Sequence, residues 1–202
     1  NKDQAIIAEI KKASPSAGII SEDFDPIQKA KDYEAFGAAA LSILTEEDFF
    51  LGSIEYLKEV KAITSLPILR KDFMVDEYQI YEAKLMGADC ILLIASILSD
   101  SQITAFVTLA EELELDYLIE VHDEVELSRV EDFQEAMIGV NNRDLKTFTV
   151  DLDNSVRLKH KFKHSNIFIA ESGIKNQDDI DYLKSHQIHA FLIGESLMRD
   201  SF

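Results

Sequence analysis

Short apolar runs recur along the chain, and polar segments with helical character separate them. Each run is too short for an ordinary helix. Continuous apolar runs of this length are typical of parallel strands that are buried on both faces. Eight such runs are present: Ile6–Ala8, Ala38–Leu44, Leu66–Leu69, Cys90–Ala95, Tyr117–Ile119, Ala136–Val140, Ile167–Ala170 and Ala190–Ile193.

Helix-capping residues stand between the runs. Asp25 precedes Pro26, which gives an N-cap followed by proline at the first helical position, and Gly37 can end that helix. Ser99 and Gln102 form a capping box ahead of an amphipathic segment. The alternation of strands and helices predicts right-handed parallel crossovers. Eight such units favour a single (β/α)8 barrel domain over residues 1–202, rather than an open doubly wound sheet. Further helix starts are predicted at Ser53, Asp76, Asp123 and Asn176.

Polar side chains follow most of the predicted strands at the point where each strand ends. In a barrel these ends converge on one rim, where active sites are built. An ionisable residue at the end of a buried strand is costly unless it is paired or used. The sequence therefore predicts a polar site at this rim. Its members include Glu9 and Lys11, Arg70–Asp72, Glu120 and His122, Asn141–Asp144, Glu171–Gly173 and Gly194–Ser196.

Two of these strand ends are typical of a phosphate site. Ser172 with Gly173, and Gly194 with Glu195, follow strands seven and eight, the usual phosphate position in barrels. Small residues let backbone N–H groups approach an anion. Only the backbone N–H of Glu195 is expected to face the phosphate, with its carboxylate directed away.

Composition narrows the range of partners. Twenty basic and 38 acidic residues give a net charge of −18, which argues against nucleic acid or an anionic membrane as a partner. A small anionic substrate needs only a local positive cluster and remains possible. The single cysteine, Cys90, excludes an intrachain disulfide and a multi-cysteine zinc site, and its apolar run predicts a buried, inert thiol. His160 and His164 lie among lysines with no carboxylate between them, so a solvated basic face is predicted there rather than a metal site.

Seven segments together resemble the indole-3-glycerol phosphate synthase family. They occur in the family's order from Ile6 to Arg199, nearly the whole chain. The segments are Ile7–Ser16, Leu44–Glu46 with Phe49–Gly52, Pro67–Phe73, Glu120–His122, Ile138–Leu145, Ala170–Ile174 and Ile193–Arg199.

The resemblance implies a cytoplasmic carboxy-lyase of tryptophan biosynthesis that needs no metal or organic cofactor. Such enzymes convert 1-(2-carboxyphenylamino)-1-deoxyribulose 5-phosphate to indole-3-glycerol phosphate, with release of carbon dioxide and water. Ring closure requires a cation that protonates or stabilises the ketone oxygen, and Lys71 is the matching position. Glu120 matches the acid/base of the dehydration, and Glu9 matches a carboxylate that orients the substrate and tunes the lysines. Lys11 matches a phosphate ligand, an acid, or both.

The resemblance also implies the binding residues. Asn141, Arg143 and Glu171 match substrate contacts, and Arg143 can grip a carboxylate with two hydrogen bonds. Phe50 and Phe73 match apolar walls for the aromatic ring. One position departs from the family pattern: Ala17 stands where many members carry Lys. The phosphate pocket is matched by Ser14, Ser172, Gly173, Gly194 and Glu195.

The barrel is expected to be trimmed at both ends. The family carries a segment ahead of its first strand, whereas the first strand here begins near Ile6, and only residues 196–202 remain for the eighth helix. We therefore expect the outer faces of strands eight and one to be partly uncovered near Phe191, Ile193 and Ile7. Exposed apolar area of this kind favours weak self-association of an otherwise monomeric protein.

Two alternatives remain open at this stage. A sister barrel isomerase acting on a related ribulose phosphate would need a Cys and Asp pair at early and middle strand ends, but Cys90 begins a strand. A non-catalytic or impaired phosphate-binding barrel fragment is the other alternative, because the ends are short.

Overall fold

The structure, a computed structural model, describes residues 3–199. Its strands are β1 Ala5–Ile10, β2 Ala13–Ser14, β3 Gly18–Ile19, β4 Ala40–Leu44, β5 Ile68–Lys71, β6 Cys90–Ile94, β7 Asp116–Val121, β8 Met137–Asn141, β9 Phe168–Glu171 and β10 Ala190–Ile193. Eight of them form a closed parallel barrel in the order β1-β10-β9-β8-β7-β6-β5-β4, which confirms the predicted fold. The other two, β2 and β3, pair as a small antiparallel hairpin in the loop after β1, and the sequence analysis did not predict it.

The helices surround the barrel. The predicted caps are observed: the Asp25 side chain accepts a hydrogen bond from the Gln28 amide, and Ser99 accepts one from Gln102. No helix within residues 3–199 is long and apolar enough to cross a membrane. The helices are α1 Pro26–Phe36, α2 Ile54–Lys61, α3 Glu77–Met86, α4 Asp100–Glu112, α5 Glu124–Val130, α6 Asp153–Lys161, α7 Gln177–Ser185 and α8 Glu195–Met198, with a 3₁₀ turn at Ala95–Ile97.

Helix α6 had no predicted start, and its first turn shows why. Leu152 occupies the N-cap position and makes no side-chain capping hydrogen bond, so the sequence lacks the usual signal. The helix ends at Lys161, and His164 lies beyond it. His160 and His164 therefore do not share a helix face. Within residues 3–199 no group of three or more potential metal ligands is clustered.

The strand side chains alternate between two apolar layers, as the pleat of a β-strand requires. Outward-facing residues pack against the helices in one large cluster. Cys90 lies in the inner layer, where burial raises the pKa of its thiol, and the prediction of a buried thiol is confirmed. The inner layer consists of Leu69, Cys90, Leu92, Ile94, Leu118, Ile169, Ala190 and Leu192.

The expectation of an uncovered outer face is wrong for β10. Phe191 and Ile193 are buried in the outer cluster, which also contains Leu197 and Met198 of α8. The helices that surround the barrel therefore cover this strand, although α8 has only four residues. Ile7 is half-buried, but it packs against the inner layer rather than the outer one, so its exposure does not report on the cover of the outer face.

Candidate active site

A cavity of about 960 Å³ opens at the carboxyl ends of the barrel strands, within the range of about 300–1,000 Å³ that is typical of small-molecule sites. Its lining combines charged, aromatic and glycine residues with apolar ones, and all eight barrel strands and the loops after them contribute to it. Of the predicted rim residues, Arg70, His122, Asn142 and Asp144 do not line the cavity. The catalytic, substrate-binding and phosphate-binding residues implied by the family resemblance all do: Glu9, Lys11, Ser14, Phe50, Lys71, Phe73, Glu120, Asn141, Arg143, Glu171, Ser172, Gly173, Gly194 and Glu195.

Glu9 lies between two lysines at the floor of the cavity. Its Oε2 is 2.9 Å from Lys71 Nζ, and its Oε1 is 3.2 Å from Lys11 Nζ. The Ser42 hydroxyl donates a third hydrogen bond, of 2.9 Å, to Oε2. Glu9 and Ser42 are paired residues of adjacent strands β1 and β4, so both side chains point into the barrel. The sequence analysis missed Ser42, although a hydroxyl inside the apolar run Ala38–Leu44 was the available signal.

The two lysines determine the charge of Glu9. Burial alone would raise the pKa of this carboxyl, but the ammonium groups of Lys71 and Lys11 outweigh burial and lower it to about 2. For Lys71 burial acts in the opposite direction, and Glu9, Glu171 and Glu120 together raise its pKa above the usual lysine value. At neutral pH the cavity floor therefore holds a carboxylate and an ammonium group that carries its proton.

Lys71 is fixed by its two neighbours along the chain. Arg70 is almost fully buried and points outward, where Nε donates to Thr45 Oγ1 at 3.0 Å and NH2 lies 2.7 Å from Glu82 Oε1. Asp72 accepts a 2.6 Å hydrogen bond from the Thr45 hydroxyl. Because residues on both sides are tied to the outer layer, the alternation of the strand directs Lys71 into the cavity.

Two further carboxyl groups lie in the cavity: Glu120 on β7 and Glu171 on β9, with β8 between these strands. The two carboxyl groups are close enough for their charges to interact, and Glu171 Oε1 is buried without a hydrogen-bond partner within residues 3–199. Burial, followed by the charge of Glu120, raises the pKa of Glu171 well above its ordinary value, which favours the protonated form of Glu171. Asn141 Nδ2 donates to Glu120 Oε1 at 3.2 Å. Gly139 makes room for this arrangement, because a Cβ there would overlap the Glu171 carboxyl group.

Aromatic rings form one side of the cavity mouth. The rings of Phe50 and Phe73 are 6.3 Å apart between centroids and inclined at 52°. The Phe50 amide donates a 3.0 Å hydrogen bond to Glu46 Oε2, which fixes the turn after β4. On the loop after β8, the Arg143 guanidinium donates to the Phe148 carbonyl at 3.2 Å, and its amide donates to Asn141 Oδ1.

Small residues form the side of the cavity after β9 and β10. Ser172 and Gly173 have φ angles of 69° and 82°, and Gly194 and Glu195 begin α8, where backbone N–H groups lack partners within the helix. The Glu195 carboxylate lies 3.2 Å from Arg199 Nε, an arrangement in keeping with the prediction that it is directed away from an anion. Lys175 and Arg199 also line the cavity, and neither was predicted as a site residue.

Ser14 joins this side through the hairpin. Its side chain is nearly buried, and its hydroxyl accepts a 3.2 Å hydrogen bond from the Ala17 amide. A Cβ at Gly194 would lie only 2.9 Å from Glu9 Oε1 and 3.3 Å from Lys11 Nζ. The glycine therefore lets the phosphate-type turn approach the ion pair directly.

This fold and cavity define a (β/α)8-barrel enzyme of small-molecule metabolism. The whole-chain comparison narrows the class: the model of the family described as indole-3-glycerol phosphate synthase matches residues 1–201. The chain belongs to this family, and both the family and the carboxy-lyase activity predicted from the sequence are confirmed.

Curated relatives agree with this assignment. An indole-3-glycerol phosphate synthase of Polaromonas naphthalenivorans is 50% identical over 96% of this chain and 74% of the relative. One from Ruminiclostridium cellulolyticum is 52% identical over 96% of this chain and 74% of the relative. A solved N-acetylmannosamine-6-phosphate 2-epimerase from Clostridium perfringens superposes with a TM-score of 0.73 over 98% of this chain and 90% of that one. Its 14% identity supports the barrel fold alone.

Proposed function

We propose that this cavity is the site at which the chain closes the indole ring of 1-(2-carboxyphenylamino)-1-deoxyribulose 5-phosphate. The observation that carries the proposal is the Lys71–Glu9 pair, which lies in one cavity with a second carboxyl pair, an aromatic wall and an anion-type turn. A substrate with an aromatic ring at one end, a ketone in the middle and a phosphate at the other end needs these elements in one cavity.

Lys71 is the acid of the ring-closing step. An aromatic carbon attacks the ketone carbon, a carbon–carbon bond forms, and the carbonyl electron pair moves to oxygen. Lys71 donates its proton to that oxygen, and because an alkoxide is a stronger base than a lysine amine, the raised pKa of Lys71 still permits the transfer. Loss of carbon dioxide then restores the aromatic ring. Glu9 keeps Lys71 oriented and charged between turnovers.

Glu120 acts in the dehydration. The carbon–oxygen bond breaks, the hydroxyl group leaves with one proton as water, and the neighbouring ring carbon loses a proton to a base. Glu120 is the proton-transfer group of this step, and Asn141 donates a hydrogen bond that orients it, as Glu171 can in its protonated form. Phe50 and Phe73 hold the aromatic ring, and Arg143 binds the substrate carboxylate.

The phosphate occupies the turns after β9 and β10. Backbone N–H groups of Ser172, Gly173, Gly194 and Glu195 supply the hydrogen bonds, and Ser14 borders the same side. Lys11 adds positive charge, since its ammonium group is 3.2 Å from Glu9 and faces the same cavity. As in the sequence analysis, Lys11 has two candidate roles, phosphate ligand and acid.

The proposed cellular setting is the cytoplasm, and the proposed partner is this phosphorylated substrate alone, with no cofactor. A monomer with weak self-association is the expected state, and sedimentation at several protein concentrations measures it.

The test is a fluorescence assay of indole-3-glycerol phosphate formation. We expect Lys71→Ala to lower kcat by about 100-fold or more, the scale of a positioned proton transfer, with a smaller change in KM. Lys58→Ala, on the exposed face of α2, is the matched control and should retain full activity. A Lys71→Ala enzyme with near-parent turnover contradicts the assignment. Borohydride reduction that traps substrate on Lys71 would show Schiff-base chemistry instead.

A further inference from the structure

His122 belongs to the rim predicted from the sequence, but the proposed mechanism gives it no role. It directly follows β7, two residues after Glu120, and its side chain is largely buried. Its Nδ1 lies 3.1 Å from Glu126 Oε2, and its Nε2 lies 3.6 Å from Glu120 Oε1. Within residues 3–199 that buried Nε2 atom has no hydrogen-bond partner.

The two neighbours of the ring decide where its protons lie. A carboxylate oxygen accepts hydrogen bonds, so Nδ1 beside Glu126 carries a proton. In a neutral ring, Nε2 would then present a lone pair to the Glu120 carboxylate, and two acceptors would face each other. The contact is favourable only when Nε2 is protonated as well, which makes the ring an imidazolium cation.

The charges around the ring favour this cation. Burial alone would lower the pKa of His122, but the Glu126 hydrogen bond and the charges of Glu120, Glu126 and Asp123 raise it. These carboxylates come from β7 and from α5 with its N-cap. From β8 and α6 the neighbouring groups are neutral: Asn141 bonds to Glu120, and Asn154 Nδ2 donates to the His122 carbonyl at 2.9 Å.

We propose that His122, as a ring held by Glu126, is a positioning residue that orients the Glu120 carboxylate for proton transfer. The ring and Asn141 approach the same oxygen, Oε1, and thereby fix the rotation of the carboxylate. The 3.6 Å separation is longer than a hydrogen bond, and catalytic contacts of this kind shorten when substrate binds. This inference rests on the proposed role of Glu120.

The kinetic test compares kcat and KM across pH for the parent, His122→Gln, Glu126→Gln and Glu120→Gln enzymes. Glutamine at 122 can donate one neutral hydrogen bond but carries no charge. We expect His122→Gln to lower kcat by about tenfold, against about 100-fold or more for Glu120→Gln, with KM within about twofold of the parent. The charge on His122 exists only below the raised pKa of this ring, so the parent kcat should fall on the alkaline limb as His122 loses its proton, and His122→Gln should lack that step. Glu126→Gln should lower the pKa of His122, so the alkaline limb of its profile moves to lower pH.

His164→Gln is the matched control, because it removes an exposed imidazole outside the cavity, and its profile should superpose on that of the parent. If His122→Gln keeps the parent's pH profile while Glu120→Gln loses activity, the inference about His122 fails and the proposed function stands. If Glu120→Gln is as active as the parent, the proposed function fails first.

A second measurement needs no folded His122 variant. ¹⁵N NMR of the histidine-labelled parent enzyme at neutral pH should show one residue with both ring nitrogens protonated, and its signal should shift in Glu126→Gln. The absence of any doubly protonated ring at neutral pH would overturn the proposal.

Discussion

The two ends of the barrel interior are built by the same strands with different chemistry. On β5, β7 and β9, Leu69, Leu118 and Ile169 fill the lower inner layer, and two residues further along each strand the inward position is Lys71, Glu120 or Glu171. Strand alternation places both sets with equal certainty. The lower layer stabilises the fold through apolar burial, whereas the upper layer buries charge, which is costly unless partners compensate for it.

The comparison separates stability from activity by position along a strand. A substitution in the lower layer should change the free energy of unfolding and leave turnover alone. A substitution in the upper layer should change turnover and leave stability alone or raise it. Each prediction below tests one side of this division.

The largest effect is expected for Glu120→Gln in the upper layer. The glutamine amide has the shape of the carboxylate and can still accept the hydrogen bond from Asn141, but it cannot accept a proton. We therefore expect kcat to fall by about 100-fold or more. Steady-state assays, together with thermal melting, measure both quantities. If a fall in melting temperature accounts for the lost activity, stability and activity are not separated by position along the strand.

The next effect belongs to Leu118→Ala, two residues earlier on the same strand. Leu118 is fully buried, and truncation of such a side chain costs about 2–5 kcal/mol of unfolding free energy because it leaves a cavity. Denaturant unfolding measures the loss. Below the melting temperature kcat should stay at the parent value, and a catalytic defect of the size predicted for Glu120→Gln would contradict us.

A smaller effect distinguishes two adjacent residues at the phosphate turn. Gly194→Val places atoms against Glu9 and Lys11, so KM should rise by about tenfold or more, since displacement of about 1 Å near a reacting centre costs up to 100-fold. Glu195→Ser should be mild, because the Glu195 carboxylate pairs with Arg199 rather than facing the turn. Competition by inorganic phosphate gives the same ranking independently. Equal, severe losses from both variants would show a direct role for the Glu195 carboxylate.

The sequence predicted the barrel because its strands are apolar on both faces and its helices carry strong caps, as at Asp25 and Ser99. It also placed the charged residues of the site, since polar side chains at the strand ends must converge. It could not predict contacts that depend on the closure of the barrel. Ser42 reaches Glu9 only because β4 pairs with β1. Phe191 is fully buried although α8 has only four residues, because its cover depends on the packing of the helices around the closed barrel.

The neighbours of the Glu171 side chain could not be predicted from the sequence either. The strand pattern shows a glutamate at the end of β9, but its protonation depends on the depth of burial and on Glu120, which is 51 positions away in the chain. Gly139 was an available signal for this contact. A glycine inside a strand often marks the close approach of another group, and here that group is the Glu171 carboxyl.

The most direct test of the division is Glu171→Gln, measured by thermal melting across pH and by kcat/KM. The pKa of Glu171 is higher in the fold than the ordinary value of 4.5, so the parent loses stability as pH rises above that value, because the unfolded chain releases a proton that the fold retains. Glutamine mimics the neutral acid and escapes this loss. We predict a melting temperature above that of the parent by about 2–4 °C near pH 7.5, equivalent to about 1 kcal/mol, and a smaller gain near pH 5. We also predict that kcat/KM falls by about tenfold, the scale of one weakened hydrogen bond to a charged group. A lower melting temperature at neutral pH with unchanged kcat/KM would contradict the account.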